Sequence, residues 1–181
     1  MLLGRCNMSV RNAVLRDAAR IDELIRAHTS DGTLLPRTMT EICADIRDFV
    51  VAEIDGKIVG CGALHLYGMH LAEIRSINIL NEYRGRKLGV EIVNALLEEA
   101  KHHDVTCVCL FTRVPEFFGS LGFKEADRDR LPDKVYKDCM RCPRNQACDE
   151  IAMYRGKLPK LTNMPKGYRP SDIVRLVTIA H

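Results

Sequence analysis

The sequence lacks several features that would assign it to a whole class of proteins. It has no apolar run of about 18 residues, so it predicts no membrane-spanning helix and no membrane partner. Its beginning lacks the long apolar core of a signal peptide, and we therefore expect a cytoplasmic protein. Its formal net charge is only +3, without a concentrated basic stripe, so we expect no nucleic-acid partner either.

The sequence also lacks internal repeats and any linker long enough to divide the chain. A length of 181 residues suits one domain with a single sizeable core. We place this domain at residues 1–155. The remaining residues, 156–181, form a basic segment that is either packed on the domain or solvated, as basic runs usually are. The sequence leaves open whether the protein forms a homo-oligomer.

Hydrophobic periodicity predicts an α/β protein with one mixed central sheet flanked by helices. Strands are predicted at residues 10–14, 49–54, 57–67, 71–80, 105–112 and 150–154, with a short one beginning at Phe123. Helices are predicted at residues 18–28, 38–49, 92–100, 115–121 and 131–138. Asp55-Gly56 is typical of a hairpin turn, and Thr38 with Glu41 fits a capping box at a helix start. The glycines at 60 and 62 suggest a bulge in the third strand.

A basic turn, residues 84–89, precedes the clearest amphipathic helix. Its glycines let the backbone approach a ligand closely, while its three cations and the helix dipole favour an anion. The spacing is not that of a Walker A loop. On these residues alone, a phosphate-binding turn and a merely solvated helix start both stay open.

Charged residues interrupt an apolar strand at Glu73 and Arg75. Period-two alternation predicts that both lie on one face of the strand, together with Ile77 and Ile79. Charges in the middle of a sheet are costly unless they are paired or functional. One interpretation is a structural ion pair between Glu73 and Arg75. The other is that Glu73 acts as a general base, since burial can raise the pKa of a carboxylate into the range that this role needs.

These segments resemble the GNAT superfamily of N-acetyltransferases. At the junction of strand and helix that family has arginine or glutamine, two residues, glycine, one residue, then glycine or alanine. This chain matches at Arg84 and Gly89 but has Lys87 at the inner glycine. Residues 117–123 resemble the family's aromatic and glycine-phenylalanine segment, and residues 72–74 resemble its base-bearing strand.

The resemblance implies a single-domain fold of that family, acetyl-CoA as the co-substrate, and no metal. It implies that Glu73 deprotonates the acceptor amine and that the acetyl group passes directly between two bound substrates. Where the family commonly has a tyrosine to protonate the leaving thiolate, this chain has Phe118, so the acid is water, Tyr136 or unnecessary. The implied cofactor-binding residues are Ile77, Asn78, Ile79, Arg84, Gly85, Arg86, Lys87, Leu88, Gly89 and Phe118.

Further segments are similar to the short, stand-alone N-acetylglutamate synthases. They are residues 111–118, 131–143 and 148–153, while residues 32–37 resemble part of the long bacterial form. The resemblance implies acetylation of the α-amine of L-glutamate, the first step of arginine biosynthesis. Glutamate has two carboxylates, so its site needs fixed cations, and guanidinium forks suit them. The candidates are, in order, Arg113, Arg37 and Arg75, each with a surface salt bridge as its alternative role.

Other substrates and functions stay open on the sequence. Glutamine or another small amine is the nearest alternative substrate, and Lys87 and Phe118 leave room for a non-catalytic acyl-CoA sensor. Cys139, Cys142 and Cys148 have the spacing C-x2-C-x5-C, one ligand short of a structural zinc site unless Cys6 or a histidine completes it. We expect a reduced loop there, with a zinc-stabilised interaction module and a reversible disulfide as alternatives.

Overall fold

The computed structural model describes residues 7–29, 34–142 and 147–159, apart from the side chains of Tyr136 and Arg141. The strands in these ranges are β1 (Met8–Asn12), β2 (Phe49–Ile54), β3 (Lys57–Gly68), β4 (Leu71–Ile79), β5 (Cys107–Thr112), β6 (Lys124–Glu125) and β7 (Ile151–Gly156). The helices are α1 (Ala18–Arg26), α2 (Met39–Ala44), α3 (Leu88–His102), α4 (Pro115–Ser120) and α5 (Pro132–Lys137). The strands form one sheet in the order β1-β2-β3-β4-β5-β7-β6, with parallel and antiparallel pairs. The predicted α/β class with a mixed sheet is confirmed.

Several strand ends differ from the prediction by one or two residues, among them those of β1 and β7. β1 begins and ends two residues early, because Leu15–Asp17 form a 3-10 turn before α1. β7 runs on to Gly156, where φ is 104° and a Cβ atom would collide with the carbonyl oxygen of Thr106. Only glycine fits a left-handed position so close to neighbouring backbone. Most of the predicted basic segment, residues 160–181, lies outside the described residues, and its packing stays a prediction.

The chain divides into two compact units, the first comprising Met1–Leu64 and Ile74–Glu99. Its core joins α1 and α2 to one face of β2 and β3 through the buried residues Ile21, Leu24, Ile25, Ile42, Phe49, Val51, Cys61 and Ala63. On the opposite face of β3, a Cβ atom on Gly62 would lie 2.7 Å from Ile92 of α3. Glycine there lets α3 pack directly on the strand. The predicted bulge is confirmed beside Gly60, since the register between β2 and β3 leaves Val59 as an extra residue.

The second unit comprises His65–Glu73 and Ala100–His181. β5 pairs with β7 in antiparallel fashion along its whole length, and with β4 in parallel at Ala72–Val108 and Glu73–Cys109. The core of this unit is the cluster of buried residues Tyr67, Leu71, Cys107, Cys109, Leu131 and Ala152. Leu131, which is fully buried, immediately precedes α5 and anchors that helix beside Tyr67 and Glu73. None of the described helices is long and apolar enough to cross a membrane.

The predicted capping box at the start of α2 is confirmed and allows a stability test. Thr38 accepts a hydrogen bond from the backbone N–H of Glu41, whose carboxylate accepts one from the N–H of Thr38. We expect Thr38→Ala to lower the free energy of unfolding by about 1 kcal/mol, because a helix N–H loses its partner. Urea denaturation measures this change. Thr40→Ala, on the exposed surface of the same helix, is the control and should be neutral or slightly stabilising; equal losses in both variants would contradict the cap.

Candidate functional site

β4 carries two charged residues of opposite sign, as predicted. Glu73 is buried, and the side chain of Arg75 is 17% exposed. The alternation of the strand breaks at Ser76, whose φ of 57° lies in the left-handed region that non-glycine residues rarely adopt. The prediction of one shared face is therefore wrong for Ile77 and Ile79, which pack toward α3 on the face opposite to that of Arg75.

Glu73 belongs to a closed set of contacts made by β3, β4 and the α5 region. Lys134 Nζ lies 2.7 Å from Glu73 Oε1 and 3.0 Å from Asp138 Oδ2. The Tyr67 hydroxyl lies 2.8 Å from Glu73 Oε2 and 3.2 Å from Asp138 Oδ2. We call these four residues the Glu73 network. The buried carboxylate of Glu73 thus has the lysine of α5 as an ion-pair partner, and the alternative of an ion pair with Arg75 stays a prediction.

Burial and neighbouring charges control the protonation of two members of the network. Burial lowers the pKa of Lys134, but the charges of Glu73 and Asp138 outweigh this effect and hold that pKa above its ordinary value. Burial, followed by the charges of the same two carboxylates, raises the pKa of Tyr67 far above its ordinary value. Lys134 therefore stays an ammonium ion and Tyr67 a neutral hydroxyl. The carboxylates are the members that can take up a proton.

A second charged cluster, within the first unit, joins two of the predicted substrate-binding arginines. Arg37 Nη1 lies 3.2 Å, and Arg75 Nη2 3.5 Å, from the same atom, Asp45 Oδ2. The Arg37 guanidinium also lies over the ring of Phe49, 5.6 Å from its centroid. Burial first, and the charge of Arg75 second, lower the pKa of Arg37. Two guanidinium groups held together away from water form a favourable place for a carboxylate.

The basic turn has a left-handed backbone at two positions. Gly85 and Lys87 have φ angles of 78° and 63°, and Leu88, which is buried, begins α3. Lys87 occupies the position of the inner glycine in the resembling family, and a left-handed backbone costs a non-glycine residue about 1–2 kcal/mol. Arg86 lies over the ring of Tyr83, 5.3 Å from its centroid, and is exposed. When residues just before a helix have a left-handed backbone, their N–H groups and those of the first helical turn can point toward an anion.

The segment from Ile77 to Ile79 is engaged through its side chains within the first unit. The Asn78 side chain is buried and donates a hydrogen bond to the carbonyl oxygen of Leu24, near the end of α1. A Cβ atom on Gly60 would lie 3.0 Å from the side chain of Ile79. The side chains of this segment are thus engaged inside the unit, and cofactor binding by the segment stays a prediction.

Arg113 and Phe118 make contacts within the second unit. Arg113 Nε lies 2.8 Å from Asp149 Oδ1, and this hydrogen bond raises the pKa of the guanidinium. Phe118 is buried in α4, and its ring packs edge-on against those of Phe117 and Phe123, with centroids 4.9 and 5.9 Å away. Arg113 thus has the surface ion pair that was its alternative role, while ligand binding by either residue stays a prediction.

The cysteine-containing loop is held by an arginine. Arg128 donates hydrogen bonds to Cys148 Sγ at 3.0 Å and to the carbonyl oxygen of Glu150 at 2.6 Å. The described cysteines are all free thiols. Within the described residues, no group of three histidine, cysteine or acidic side chains is placed to bind a metal ion. Cys6, the suggested fourth ligand, lies outside the described residues.

Three members of the Glu73 network were not singled out from the sequence. Lys134 and Asp138 are four residues apart in a predicted helix, a spacing that signals an ion pair along the helix. Tyr67 is a polar residue at the end of an apolar strand, just before the turn that leads to Glu73. The helical spacing of Lys134 and Asp138 and the position of Tyr67 identify these polar residues in the sequence. They do not show which strand α5 packs against. The side chain of Tyr136, the suggested acid, lies outside the described residues.

Comparison with known proteins places this geometry in a family. The model of the acetyltransferase (GNAT) family matches residues 18–123. An uncharacterized N-acetyltransferase of Chlorobaculum tepidum is 40% identical over 149 residues, which cover 81% of this chain and 94% of that protein. An amino-acid acetyltransferase of Mycobacterium tuberculosis is 31% identical over 139 residues, which cover 75% of this chain and 79% of that protein.

A solved structure shows the same arrangement of strands and helices. It is the crystal structure of a Mycobacterium tuberculosis protein in complex with CoA and a second ligand. It aligns with a TM-score of 0.71 at 26% sequence identity, over 83% of this chain and 99% of that one. The predicted single-domain fold of the GNAT superfamily is confirmed.

The buried ion pair between Glu73 and Lys134 predicts a large effect on stability. We expect Lys134→Met to lower the free energy of unfolding by about 3–5 kcal/mol, because a buried carboxylate loses its cation. Lys137, which immediately precedes Asp138, is exposed. We expect Lys137→Met to lower the free energy of unfolding by less than about 1 kcal/mol. Urea denaturation of both variants measures the difference. If the two variants are equally stable, the ion pair does not hold α5 in place.

Proposed function

The chain belongs to the acetyltransferase (GNAT) family, and we propose that it transfers the acetyl group of acetyl-CoA directly to the α-amine of L-glutamate. The broader activity follows from the relationship: the chain is an acetyl-CoA-dependent N-acetyltransferase of amino acids. The choice of an acidic substrate is supported by one observation above all, the largely buried guanidinium groups of Arg37 and Arg75. We further propose that the reaction is the first step of arginine biosynthesis and takes place in the cytoplasm.

Glu73 is the proposed general base. The α-amine of an amino acid arrives as an ammonium ion near neutral pH and must lose a proton before it can attack a thioester. The carboxylate of Glu73 lies on β4, two residues before Arg75, with its side chain only 3% exposed. Lys134 and Tyr67 hold it in one orientation and keep their own protons. Glu73 is buried, is held in one orientation and has neighbours whose protonation does not change, and these three features support the role of a base.

The basic turn is the proposed site for the phosphates of acetyl-CoA, which supplies the acetyl group as a thioester. The left-handed backbone at Gly85 and Lys87, together with the exposed cations and the start of α3, fits a phosphate group. We propose that backbone amides of Ile77 to Ile79 pair with the pantetheine arm and that Phe118 contacts it. Phe118 has no hydroxyl, so the proton that the leaving thiolate takes up comes from water or Tyr136, or no dedicated acid is needed.

The arginines are proposed to bind the carboxylates of the substrate. Arg37 and Arg75 are 14% and 17% exposed and already share one carboxylate, that of Asp45, which supports the proposal that the two cations also bind a carboxylate of the substrate. Arg113, at the end of β5, is proposed to bind a carboxylate by exchanging its partner Asp149 for the substrate. Glutamine, with one carboxylate, would need only part of this set.

An acceptor panel tests the proposal directly. The purified protein is given acetyl-CoA and each of a series of amino acids and small amines, and the release of free thiol is followed. We expect the highest kcat/KM with L-glutamate. A preference for glutamine would keep the reaction and change the substrate, whereas acetyl-CoA binding without turnover on any acceptor would favour a sensor.

Replacement of the base should affect turnover without affecting cofactor binding. We expect Glu73→Gln to lower kcat by about 10²–10⁴-fold, because proton abstraction is lost while the shape is kept. The dissociation constant of acetyl-CoA, measured by calorimetry, should stay unchanged. Glu125→Gln, the same change on exposed β6, should keep the wild-type kcat. Full activity of Glu73→Gln across the pH range would show that Glu73 is only structural.

Replacement of the arginines should affect the substrate without affecting the cofactor. We expect Arg113→Ala and Arg37→Ala each to raise the KM for glutamate about 10- to 150-fold, the equivalent of about 1.5–3 kcal/mol for a charged hydrogen bond. Arg113→Lys should rescue only in part, because lysine lacks the fork. Arg130→Ala, at an exposed position, is the control. Unchanged glutamate kinetics in Arg113→Ala would leave that residue as the surface partner of Asp149.

A further inference from the structure

The proposed reaction releases one proton that has to leave a buried position. The substrate ammonium and the acetyl thioester become an amide and a thiol, and the nitrogen loses two protons in the process. One of these ends on the sulfur of the thiol. The other is taken by Glu73 and must reach solvent before the next turnover, although the Glu73 side chain is only 3% exposed. The base therefore needs a way to pass its proton on.

The Glu73 network contains a hydroxyl in the position to do this. Tyr67 Oη lies 2.8 Å from Glu73 Oε2 and 3.2 Å from Asp138 Oδ2, so one hydroxyl touches both carboxylates. Tyr67 itself is 8% exposed, whereas the side chain of Asp138 is 28% exposed. The three groups thus lead from a buried carboxylate to one that meets solvent.

The other oxygen of Glu73 is held in an ion pair, so it is not the one that takes up the substrate proton. Lys134 Nζ contacts Glu73 Oε1 at 2.7 Å and already holds its full complement of protons as an ammonium ion. Among the described residues, the thiols of Cys109, opposite Glu73 on β5, and of Cys139, after α5, also feel its charge. Burial, the first cause for each, raises the pKa of both thiols, so they stay protonated as well. Lys134 also reaches Asp138, but the proton that Glu73 takes up lies on Oε2, the oxygen that the Tyr67 hydroxyl contacts.

We propose that Tyr67 and Asp138 form a proton relay that returns Glu73 to its carboxylate form after each turnover. The relay rests on the proposed role of Glu73 as the base. The Tyr67 hydroxyl turns from Glu73 to Asp138, its O–H bond breaks as its proton moves to Asp138 Oδ2, and the proton on Glu73 Oε2 moves to Tyr67 Oη. Asp138 then gives the proton to water. Tyr67 is neutral before and after, and no oxidation or reduction occurs.

Rescue by a small buffer distinguishes a relay from a structural role. The kcat of the wild type, Tyr67→Phe and Asp138→Asn is measured with the best amino-acid acceptor, first at low buffer concentration and then with increasing imidazole. We expect both variants to lose about 10- to 100-fold in kcat at low buffer, less than the largest losses caused by removing a general base. Imidazole should restore them, since it accepts the proton in place of the relay. The wild type should not respond to imidazole.

Tyr154→Phe is the matched control, because Tyr154 packs against the same hydrophobic cluster and loses the same hydroxyl. It should keep the wild-type rate at every buffer concentration, and melting temperatures verify that all variants are folded. The relay is overturned if Tyr67→Phe and Asp138→Asn keep the wild-type kcat, or if their loss does not depend on imidazole. Glu73→Gln separates the two proposals: if it retains activity, the base assignment fails, and if it alone loses activity, only the relay fails.

Discussion

The burial of a single carboxylate, that of Glu73, is the constraint on which the second unit depends. A carboxylate removed from water needs a cation and hydrogen-bond donors, or the cost of burial exceeds what folding can offset. Lys134 and Tyr67 supply them, and both are positioned by the hydrophobic cluster that includes Leu131 and Cys109. The contacts that hold α5 on the sheet are therefore the same contacts that orient the proposed base.

β4 contains the charged residues Glu73 and Arg75 and, further along, apolar residues that pack in the core. The left-handed backbone at Ser76 breaks the alternation of the strand and separates a charged half, with Glu73 and Arg75, from an apolar half that packs toward α3. A regular strand would keep Ile77 and Ile79 on the face of the charges. The interruption lets nine residues serve both a polar cluster and a hydrophobic interface.

Two departures from the family's sequence pattern have different structural meanings. At Lys87 the family pattern has glycine, and the backbone of this chain has a φ of 63°, in the region that glycine favours. The loop shape that suits a phosphate is kept, at some cost in local strain. At Phe118 the shape is kept and a chemical group is lost, because an aromatic ring packed between Phe117 and Phe123 has no proton to give. The first change concerns the backbone of the proposed phosphate site, whereas the second concerns the proposed protonation of the thiolate.

The elements that depend on neighbours along the chain could be predicted without the structure. These are the hairpin at Asp55-Gly56, the capping box at Thr38, the basic turn before α3 and the α/β class, all of which follow from local periodicity and turn chemistry. The sequence also identified Glu73 as a charge in a buried strand. The partner of that charge was decided only by tertiary structure, because α5 is distant in sequence and nothing along the chain specifies which strand it covers. Arg75 is the nearer cation in sequence, but packing directs it to Asp45 and brings Lys134 to Glu73.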